Sequence, residues 1–558
     1  MQGFDRNTGI VDYLTIEKTG EIVDNVVDRV YKAVVGTMGP NGKYGAITLG
    51  TRVKVTKDGV TVARSIKFND PRYEVVNRIV TEAPLKTDEE CGDGTTTTML
   101  MLAEFYKLYR EFDSYHEQAF LDRLVTLWIN ELQEATIHID TVDPRLYDLA
   151  LTSANHDTAL AHLITDLYRE DPTSFPVIEL IQGVEAEDKV LRTDGLTTGA
   201  VYSNHQYAPG GRQQGEYTHY VPLVLDMAFR EPDMQKLANL LTELTKQFGG
   251  GVDGKPVQVI LIARAFESTL DNIMLQFNSG MRQKAQQSNT EPMLQFVACR
   301  VNGAGGSIGS YMLQDLAIML GCPMVATVEQ ALTAELSVRT DKFVISQARS
   351  LLTPSDESKV RIAERVKEVQ EVLGTYDGKN RYNTRARFDE RRIRQMTGKL
   401  VSIWVGGETE SDIIERKDRF EDVVKAVRSA LTNGIVPGVG TTLIATADKL
   451  PQLLTEEVSN PEDGGFPSTW KEILGGVIEI SHKQNEILME GVNREDFAPG
   501  AVLNLANGRI GDPITLGIYD TAFASITALR GGARAAKMLA NLRSIMVSNK
   551  LDAVSLGN

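Results

Sequence analysis

The two ends of the chain have similar patterns of apolar and polar residues, and the middle of the chain has a different pattern. Residues 1 to about 137 and residues from about 433 onward have helical patterns, and the last stretch is rich in Ala and Gly. Residues from about 195 to 399 instead mix amphipathic helical patterns with short apolar runs such as Val257–Ala263, which is typical of an α/β domain. The chain therefore predicts one discontinuous helical domain, built from both ends, with other domains inserted in it.

Charge and cysteine usage exclude several classes of function. The chain carries 75 Asp and Glu against 59 Lys and Arg, a net charge of −16, which argues against nucleic acid or an anionic membrane as a partner. Its three cysteines form no CxxC pair, so a zinc ribbon and a disulfide framework are excluded and a reducing compartment is indicated. Residues 1–13 are polar, and Val257–Ala263 is far shorter than the roughly 18–20 residues of a membrane helix. We therefore expect a soluble, intracellular protein.

The sharpest motif is the Gly- and Thr-rich stretch Cys91–Thr98, followed by the helical run Met99–Tyr106. Glycines before a helix N-terminus let a phosphate approach unpaired backbone N–H groups. The carboxylate of Asp93 would repel a bare phosphate, so it fits there only with a cation such as Mg²⁺ between them. The alternative is an ordinary Asp or Thr N-cap at a helix start.

Two further loops are ambiguous when each is taken alone. Gly36–Lys43 follows a helical stretch and is typical of a helix C-cap and turn. Lys57–Gly59 stands between strand-like runs and is typical of a hairpin turn.

Two glycine-rich segments imitate nucleotide motifs and are rejected. Gly249–Lys255 fits GxxxxGK, but Pro256 takes the Ser/Thr position and a strand follows, so we predict a loop. Gly303–Gly309 has GxGxxxG spacing instead of GxGxxG, which disfavours a dinucleotide site. The seven histidines show no metal-ligand spacing.

Taken together, three motifs resemble the group I chaperonins, the GroEL family, in order and separation: TMGPNGK (37–43), VTKDG (55–59) and GDGTTT (92–97). Further segments that resemble the family are Ser153–Asn155, Met312–Ala317, Arg419–Gly440 and Asn504–Asp520. The resemblance spans nearly the whole chain and is weakest in the middle, as in a divergent, bacteriophage-type member.

The resemblance implies a multidomain α and α/β fold, with a discontinuous helical equatorial domain, a small intermediate hinge domain and an inserted α/β apical domain. The corresponding boundaries are 1–137 and 433–558 for the equatorial domain, 138–194 and 400–432 for the intermediate domain, and 195–399 for the apical domain.

The resemblance also implies a site for ATP and Mg²⁺. Asp422 would position the hydrolytic water, Asp58 would lie in the catalytic region, and Asp93 would bind Mg²⁺. Without the resemblance, Asp422 is typical of a solvated acid beside an apolar helical face (420–431). The implied nucleotide contacts are Thr37, Met38, Gly39, Pro40, Lys57, Asp93, Gly94, Thr95, Thr96, Thr97, Gly438, Val439, Asn504, Ala506 and Asp520.

The chain departs from the family in places that matter for the nucleotide. Val439 stands where the family has the central glycine of three, so it adds bulk beside the base and ribose. Leu505 replaces a small residue of the base pocket.

Two helical patterns in the middle of the chain carry broad apolar faces. Ordinary core packing is one interpretation; an exposed groove for unfolded chains is the other. Alignment with the family favours exposure, and polypeptide binding, of Leu237, Leu240, Leu270, Ile273 and Met274.

The resemblance thus implies an ATP-hydrolysing, ring-forming chaperone that captures non-native polypeptides and drives their encapsulation and folding. We expect homo-oligomeric rings, seven-membered and single or double, a possible lid-forming co-chaperonin, and the cytoplasm of a bacterial or phage-infected bacterial cell. The alternatives are a ring scaffold or holdase with weakened hydrolysis, and a soluble nucleotide-dependent metabolic enzyme such as a kinase.

Overall fold

The chain divides into two compact units in a computed structural model. One unit, the terminal unit, comprises Met1–Glu170 and Ile414–Asn558; the other, the inserted unit, is Asp171–Ile413. The structure describes residues 10–13, 16–39, 42–49, 52–91, 93–170, 175–209, 213–301, 306–375, 384–457, 465–493, 497–498, 500–504 and 507–548. Both ends of the chain thus belong to one unit, while the five-segment division into three domains stays a prediction.

The N-terminal part of the terminal unit is mainly helical. Its elements are β1 (Ile10–Tyr13), α1 (Ile16–Val35), β2 (Gly45–Leu49), β3 (Arg52–Thr56), α2 (Gly59–Ser65), α3 (Pro71–Cys91), α4 (Thr95–Glu111), α5 (Tyr115–Glu134), α6 (Pro144–Ser153) and α7 (Thr158–Arg169).

The inserted unit alternates strands and helices. Its elements are β4 (Val177–Gln182), β5 (Lys189–Thr198), β6 (Ala200–Tyr202), β7 (Gln214–Tyr217), β8 (Tyr220–Phe229), α8 (Met234–Phe248), β9 (Val257–Phe266), α9 (Ser268–Gln287), β10 (Leu294–Val301), α10 (Gly306–Leu320), β11 (Met324–Val325), α11 (Val328–Thr333), β12 (Lys342–Ser346), β13 (Ser350–Thr353), α12 (Asp356–Gly374), α13 (Thr384–Thr397) and β14 (Lys399–Val405).

The elements that follow the inserted unit along the chain are again mainly helical. They are α14 (Glu410–Asn433), β15 (Ile435–Pro437), α15 (Thr441–Ala447), α16 (Leu450–Glu457), α17 (Trp470–Leu488), β16 (Val502–Asn504), β17 (Arg509–Gly511), β18 (Tyr519–Thr521), α18 (Ala522–Ala540) and β19 (Met546–Ser548). No helix in the described ranges is long and apolar enough to cross a membrane.

The terminal unit is held together by helix packing between its two sequence halves. α18 packs along α4 so closely that a Cβ at Gly532 would lie 2.6 Å from the Cβ of Met101. The strand β1 pairs antiparallel with β19, which joins residues near the two chain ends. Segments that are remote in sequence therefore pack together within the terminal unit.

The inserted unit contains two sheets. The first has the strand order β11-β8-β9-β10-β6, with β11, β8, β9 and β10 parallel and β6 antiparallel. The second has the order β4-β14-β5-β13-β12-β7. The succession β8-α8-β9-α9-β10 confirms the α/β texture, because parallel strands need helical crossovers.

Burial corrects the prediction for the two apolar helices of the inserted unit. Leu237, Leu240, Leu270 and Met274 are all 0% exposed and belong to one hydrophobic core with the first sheet. Ile273 is only partly buried against that core. The expectation of exposure is therefore wrong for the first four, because the apolar stripes of α8 and α9 face their own sheet.

The structure agrees with the prediction for one of the glycine-containing loops and differs from it for another. Gly249–Lys255 is a loop closed by a bridge between Val252 and Lys255, as predicted. Lys57–Gly59 is not a hairpin turn: Asp58 caps α2, and the hairpin closes earlier, between β2 and β3. Part of Gly303–Gly309 lies outside the described residues.

Candidate nucleotide site

A cavity of about 510 Å³ opens in the terminal unit and gathers segments that are remote in sequence. Its walls come from the turn after α1, the start of α4, the helices α6, α17 and α18, and the segment from β16 to β18. Those predicted nucleotide contacts that line it are Gly39, Asp93, Gly94, Thr97, Val439, Asn504 and Asp520.

The start of α4 forms one end of this cavity. Gly94 precedes the helix in a left-handed conformation, with φ of 88°, and no side chain caps the helix there. Asp93 is not the N-cap; its carboxylate accepts a 2.6 Å hydrogen bond from the Gly94 N–H. The Thr95 hydroxyl is buried and has no hydrogen-bond partner within the described part of the chain. This helix end therefore has the free donors and the orphaned hydroxyl that a phosphate or its cation would satisfy.

Asp58 is fixed next to that helix start by its own helix. Its carboxylate accepts hydrogen bonds from the backbone N–H groups of Val60 and Thr61, at 3.0 and 2.9 Å. A Cβ at Gly59 would lie 2.5 Å from the Thr96 hydroxyl oxygen, so glycine permits the start of α2 to touch the start of α4. Lys57 turns its ammonium over the Tyr44 ring, 5.0 Å from the ring centroid.

Three carboxylates converge beside the start of α4. Burial, followed by the charges of Asp93 and Asp58, raises the pKa of Asp422 on α14 to about 8. Burial also raises the pKa of Asp93, and the charge of Asp88 adds to that effect. Both side chains are exposed to solvent at the cavity, so their desolvation comes from the protein that surrounds the cavity rather than from a closed core, and the charge of Lys425 on α14 opposes both shifts. The repulsion of Asp422 by Asp93 and Asp58 is an electrostatic pattern that a bound cation relieves.

Asp520 and Val439 form the next part of the wall. The Asp520 carboxylate accepts hydrogen bonds from the backbone N–H groups of Val439 and Gly440, while burial and then Asp93 raise its pKa to about 7. Val439 has a left-handed backbone, with φ of 59°, and its carbonyl accepts a 2.8 Å hydrogen bond from Asn485. The glycine-to-valine departure noted in the sequence thus falls at a position whose backbone favours glycine.

Several cavity residues were not predicted. Asp148 and Thr152 face the cavity from α6, His156 follows in the next turn, and Gly517 and Ile518 precede Asp520. The family-like segments 153–155 and 504–520 were the only sequence signals near them. Nothing in the sequence of α6 distinguishes a cavity face from a solvent face.

The other predicted site residues fall into three groups. Thr37 and Met38 are buried in the turn after α1, where the Thr37 hydroxyl donates to the Val34 carbonyl. Gly438 backs the Asp520 carboxylate, since a Cβ there would lie 3.2 Å from its Oδ1. Pro40 and Ala506 lie outside the described residues.

A divalent cation in this site would depend on the nucleotide. Within the described ranges, no three His, Cys, Asp or Glu side chains are grouped so that they could hold a metal ion. Mg²⁺ commonly binds through one or two carboxylates together with phosphate oxygens and water. Asp93 beside the start of α4 fits that mode of binding.

Comparison with known proteins places this geometry in a family. The sequence profile of the TCP-1/cpn60 chaperonin family matches residues 30–171. A hydrogenosomal chaperonin HSP60 of Trichomonas vaginalis is 26% identical over 443 residues, which cover 76% of this chain and 87% of that protein.

Solved structures extend the match over nearly the whole chain. The chaperonin gp146 of bacteriophage EL 2 (Pseudomonas aeruginosa), crystallised in the presence of ATP-BeFx, is 36% identical in two crystal forms. Form II has a TM-score of 0.82 and covers 97% of this chain and 100% of that one; form I has a TM-score of 0.84 and covers 96% and 99%. With its fold, its cavity and this likeness taken together, the chain belongs to the TCP-1/cpn60 chaperonin family.

Proposed function

We propose that this chaperonin binds ATP with Mg²⁺ in the cavity of the terminal unit and hydrolyses it to drive the capture, encapsulation and folding of non-native polypeptides in a homo-oligomeric ring. The observation that carries the proposal is the convergence of Asp58, Asp93 and Asp422 at the start of α4. Acidic side chains this close to free helix donors suit a cation held between a carboxylate and a phosphate, since the charge of Lys425, which acts on both Asp93 and Asp422, offsets only part of their pKa shifts.

In this proposal the phosphates lie against the N-terminus of α4. The backbone from Gly94 and the hydroxyls of Thr95 and Thr97 hold them, and Asp93 ligates the cation. Mg²⁺, when bound, neutralises phosphate charge. The ribose lies by Asp520, and the base lies toward Asn504. A relative crystallised in the presence of ATP-BeFx is consistent with this assignment.

Asp422 would be the residue that acts on water. Without a cation its pKa of about 8 leaves the carboxyl largely protonated near neutral pH. A cation beside Asp93 and Asp58 would lower that pKa, since the repulsion from those two carboxylates is then offset. Asp422 would therefore become ionised, and able to orient or deprotonate water, only when the nucleotide and cation are in place.

Ring formation is supported by two incomplete sheets. β2 and β3 form a hairpin whose Val53 and Val55 are 66% and 61% exposed, and Tyr44 beside it is 69% exposed. β1 and β19 form another two-stranded sheet. Isolated two-stranded sheets are marginal and have open edges, so pairing with a neighbouring subunit would complete both. We propose closed homo-oligomeric rings on this basis, seven-membered by resemblance and single or double.

Polypeptide capture is assigned to the inserted unit. With four of the predicted leucine and methionine side chains in the core, the apolar side chains of α8 and α9 that keep exposed surface include the exposed Met234 and the partly buried Ile273, Leu275, Phe277 and Met281. Exposed apolar side chains bind unfolded chains without sequence preference, and Met adapts to varied partners. A lid-forming co-chaperonin stays a prediction from the resemblance.

The test is calorimetric titration of the full-length chain with ATP, with and without Mg²⁺, together with an ATPase assay. We expect Mg²⁺-dependent binding and turnover, both abolished or strongly weakened in Asp93→Asn. Asp28→Asn is the matched control. Asp28 is an exposed acid of α1 that pairs with Lys32 and not with the acid cluster, which consists of Asp58, Asp93 and Asp422. Binding that ignores Mg²⁺, or an Asp93→Asn variant as active as the control, would refute the assignment.

The holdase alternative makes a different prediction. Val439 narrows the nucleotide site, so a chaperonin with weakened hydrolysis would still form rings and suppress aggregation. The holdase alternative would be favoured if light scattering detects rings while an ATPase assay on the same sample detects no ATP turnover.

A further inference from the structure

Asp148 is a cavity carboxylate to which the proposed function gives no role. It lies on α6, one turn before Thr152, and both side chains line the cavity. On its other side is Gly517, with φ of 67°, at which a Cβ would lie 3.0 Å from the Asp148 carboxyl carbon. Asp148 is therefore pressed against the segment that leads to Asp520.

The Asp148 carboxylate has no hydrogen-bond donor among the described residues. No side-chain hydrogen bond or ion pair reaches it from any residue that the structure describes. The nearby Thr152 hydroxyl is occupied, because it donates to the Asp148 backbone carbonyl at 3.0 Å. Burial, and then the charge of Asp143, raises the Asp148 pKa. A partly buried acceptor without a donor is costly, and a ligand donor would offset that cost.

The position of Asp148 in the cavity indicates which part of a nucleotide it would contact. Asp148 packs against Gly517, at one end of the short segment Gly517–Asp520, while Asp520 at its other end packs against Gly438 and lies within the electrostatic influence of Asp93. Of the two carboxylates, Asp520 is therefore the one beside the start of α4, and Asp148 lines the cavity at the opposite end of that segment. A nucleotide with its phosphates at α4 and its ribose at Asp520 would extend its base toward Asp148 and Asn504.

We propose that Asp148 selects adenine nucleotides by accepting a hydrogen bond from the 6-amino group of the base. The proposal rests on the nucleotide site proposed above and adds its base specificity. A site built to accept from an amino group discriminates strongly against analogues that lack it, because its buried acceptor is then left unpaired. A 6-oxo purine would place an acceptor against the carboxylate and bind still more weakly.

The test is a cycle between ligand and protein variants on the full-length chain, with Mg²⁺ present. The ligands are ATP, purine riboside triphosphate, which lacks the 6-amino group, inosine triphosphate and 2′-deoxy-ATP. The proteins are wild type, Asp148→Ala, Asp148→Asn and the control Thr97→Ala. We expect wild type to prefer ATP over purine riboside triphosphate by about tenfold or more.

The variants should separate base reading from general damage. Asp148→Ala should shrink that preference to about threefold or less, and Asp148→Asn, whose amide can donate, should bind inosine triphosphate better than wild type does. Thr97→Ala, which lies at the phosphate end, should weaken all four ligands while keeping the preference for ATP. Circular dichroism checks that each variant is folded, and Asp148→Asn carries the test should Asp148→Ala unfold.

Two results would overturn the proposal while leaving the nucleotide site intact. One is an undiminished preference for ATP over purine riboside triphosphate in both folded Asp148 variants. The other is a loss of discrimination against 2′-deoxy-ATP alone, which would mean that Asp148 contacts the ribose. A wild-type chain that binds none of the four ligands would instead refute the nucleotide site, and base selection with it.

Discussion

Val439→Gly should stabilise the protein, although it removes a side chain. Val439 has φ of 59°, a conformation that costs an L-residue roughly 1–2 kcal/mol, and more for a branched side chain. Glycine removes that cost but loses more chain entropy on folding, which offsets about 0.5–1 kcal/mol. The side chain is only partly buried and faces the cavity, so little packing is lost. The net expectation is a gain of about 0.5–1 kcal/mol.

Thermal unfolding of the nucleotide-free, full-length chain measures this gain. The relevant transition is that of the terminal unit, followed separately if the two units unfold independently. For a unit of 315 residues, whose unfolding entropy is about 0.7 kcal/mol/K, we expect a rise of about 1–1.5 °C. ATP affinity should stay the same or increase, because the Val439 and Gly440 N–H groups that bind Asp520 are kept and space is added beside them.

Val439→Ala is the matched control. It removes the branched side chain but keeps the Cβ, and therefore keeps most of the left-handed strain. Alanine should accordingly recover much less stability than glycine. If Val439→Ala gains as much as Val439→Gly, or if Val439→Gly loses stability, then backbone strain at this position is not what the substitution relieves.

Three further predictions concern the acid cluster and the ring. Asp422→Ala should leave ATP affinity within about twofold of wild type and lower the rate of single-turnover hydrolysis by at least about tenfold, which is about 1.4 kcal/mol on the barrier, because the carboxylate acts on water in the transition state. Hydrolysis by the variant at the wild-type rate would show that Asp422 is only a surface acid. Burial raises the folded-state pKa of Asp422 to about 8 and of Asp520 to about 7, so between the ordinary carboxyl pKa of 3.8 and these values the folded apo protein binds more protons than the unfolded chain does. Its thermal stability should therefore fall as the pH rises from about 4 to about 8 and level off above that, and Asp422→Asn or Asp520→Asn should flatten that profile. Asp substitutions at both Val53 and Val55 should dissociate the assembly in light scattering while leaving helix content unchanged; intact rings would show that the hairpin is not the contact.

The shared site was predicted from the order and separation of three motifs taken together, because a short loop motif does not by itself indicate which other loop it packs against. In the structure, Gly59 at the start of α2 lies against Thr96 at the start of α4. The charge convergence at Asp422 followed from the resemblance, since its helix alone looks like a surface helix. Asp148 had no such signal, because a polar residue facing a wet cavity resembles one facing solvent.

The faces of α8 and α9 show the opposite limit. Periodicity located their apolar stripes correctly, but it cannot say what a stripe packs against. Leu240 and Met274 were expected to face outward, and both are fully buried against the parallel sheet. Which face of an amphipathic helix stays exposed to solvent depends on where the sheet lies, and the position of the sheet is a property of the tertiary fold.

The antiparallel pairing of β1 with β19 has a consequence for how the protein is made. Ile10 pairs with Ser548, and α18 covers α4, so the terminal unit cannot close until almost the whole message has been translated. At roughly 5–20 residues per second, synthesis takes about half a minute to two minutes. During that time the face of α4 destined for α18 is uncovered, while the contiguous inserted unit has all its strands and can fold on the ribosome. During its own synthesis, a chaperonin subunit built in this way is therefore itself an incompletely folded chain with exposed apolar surface.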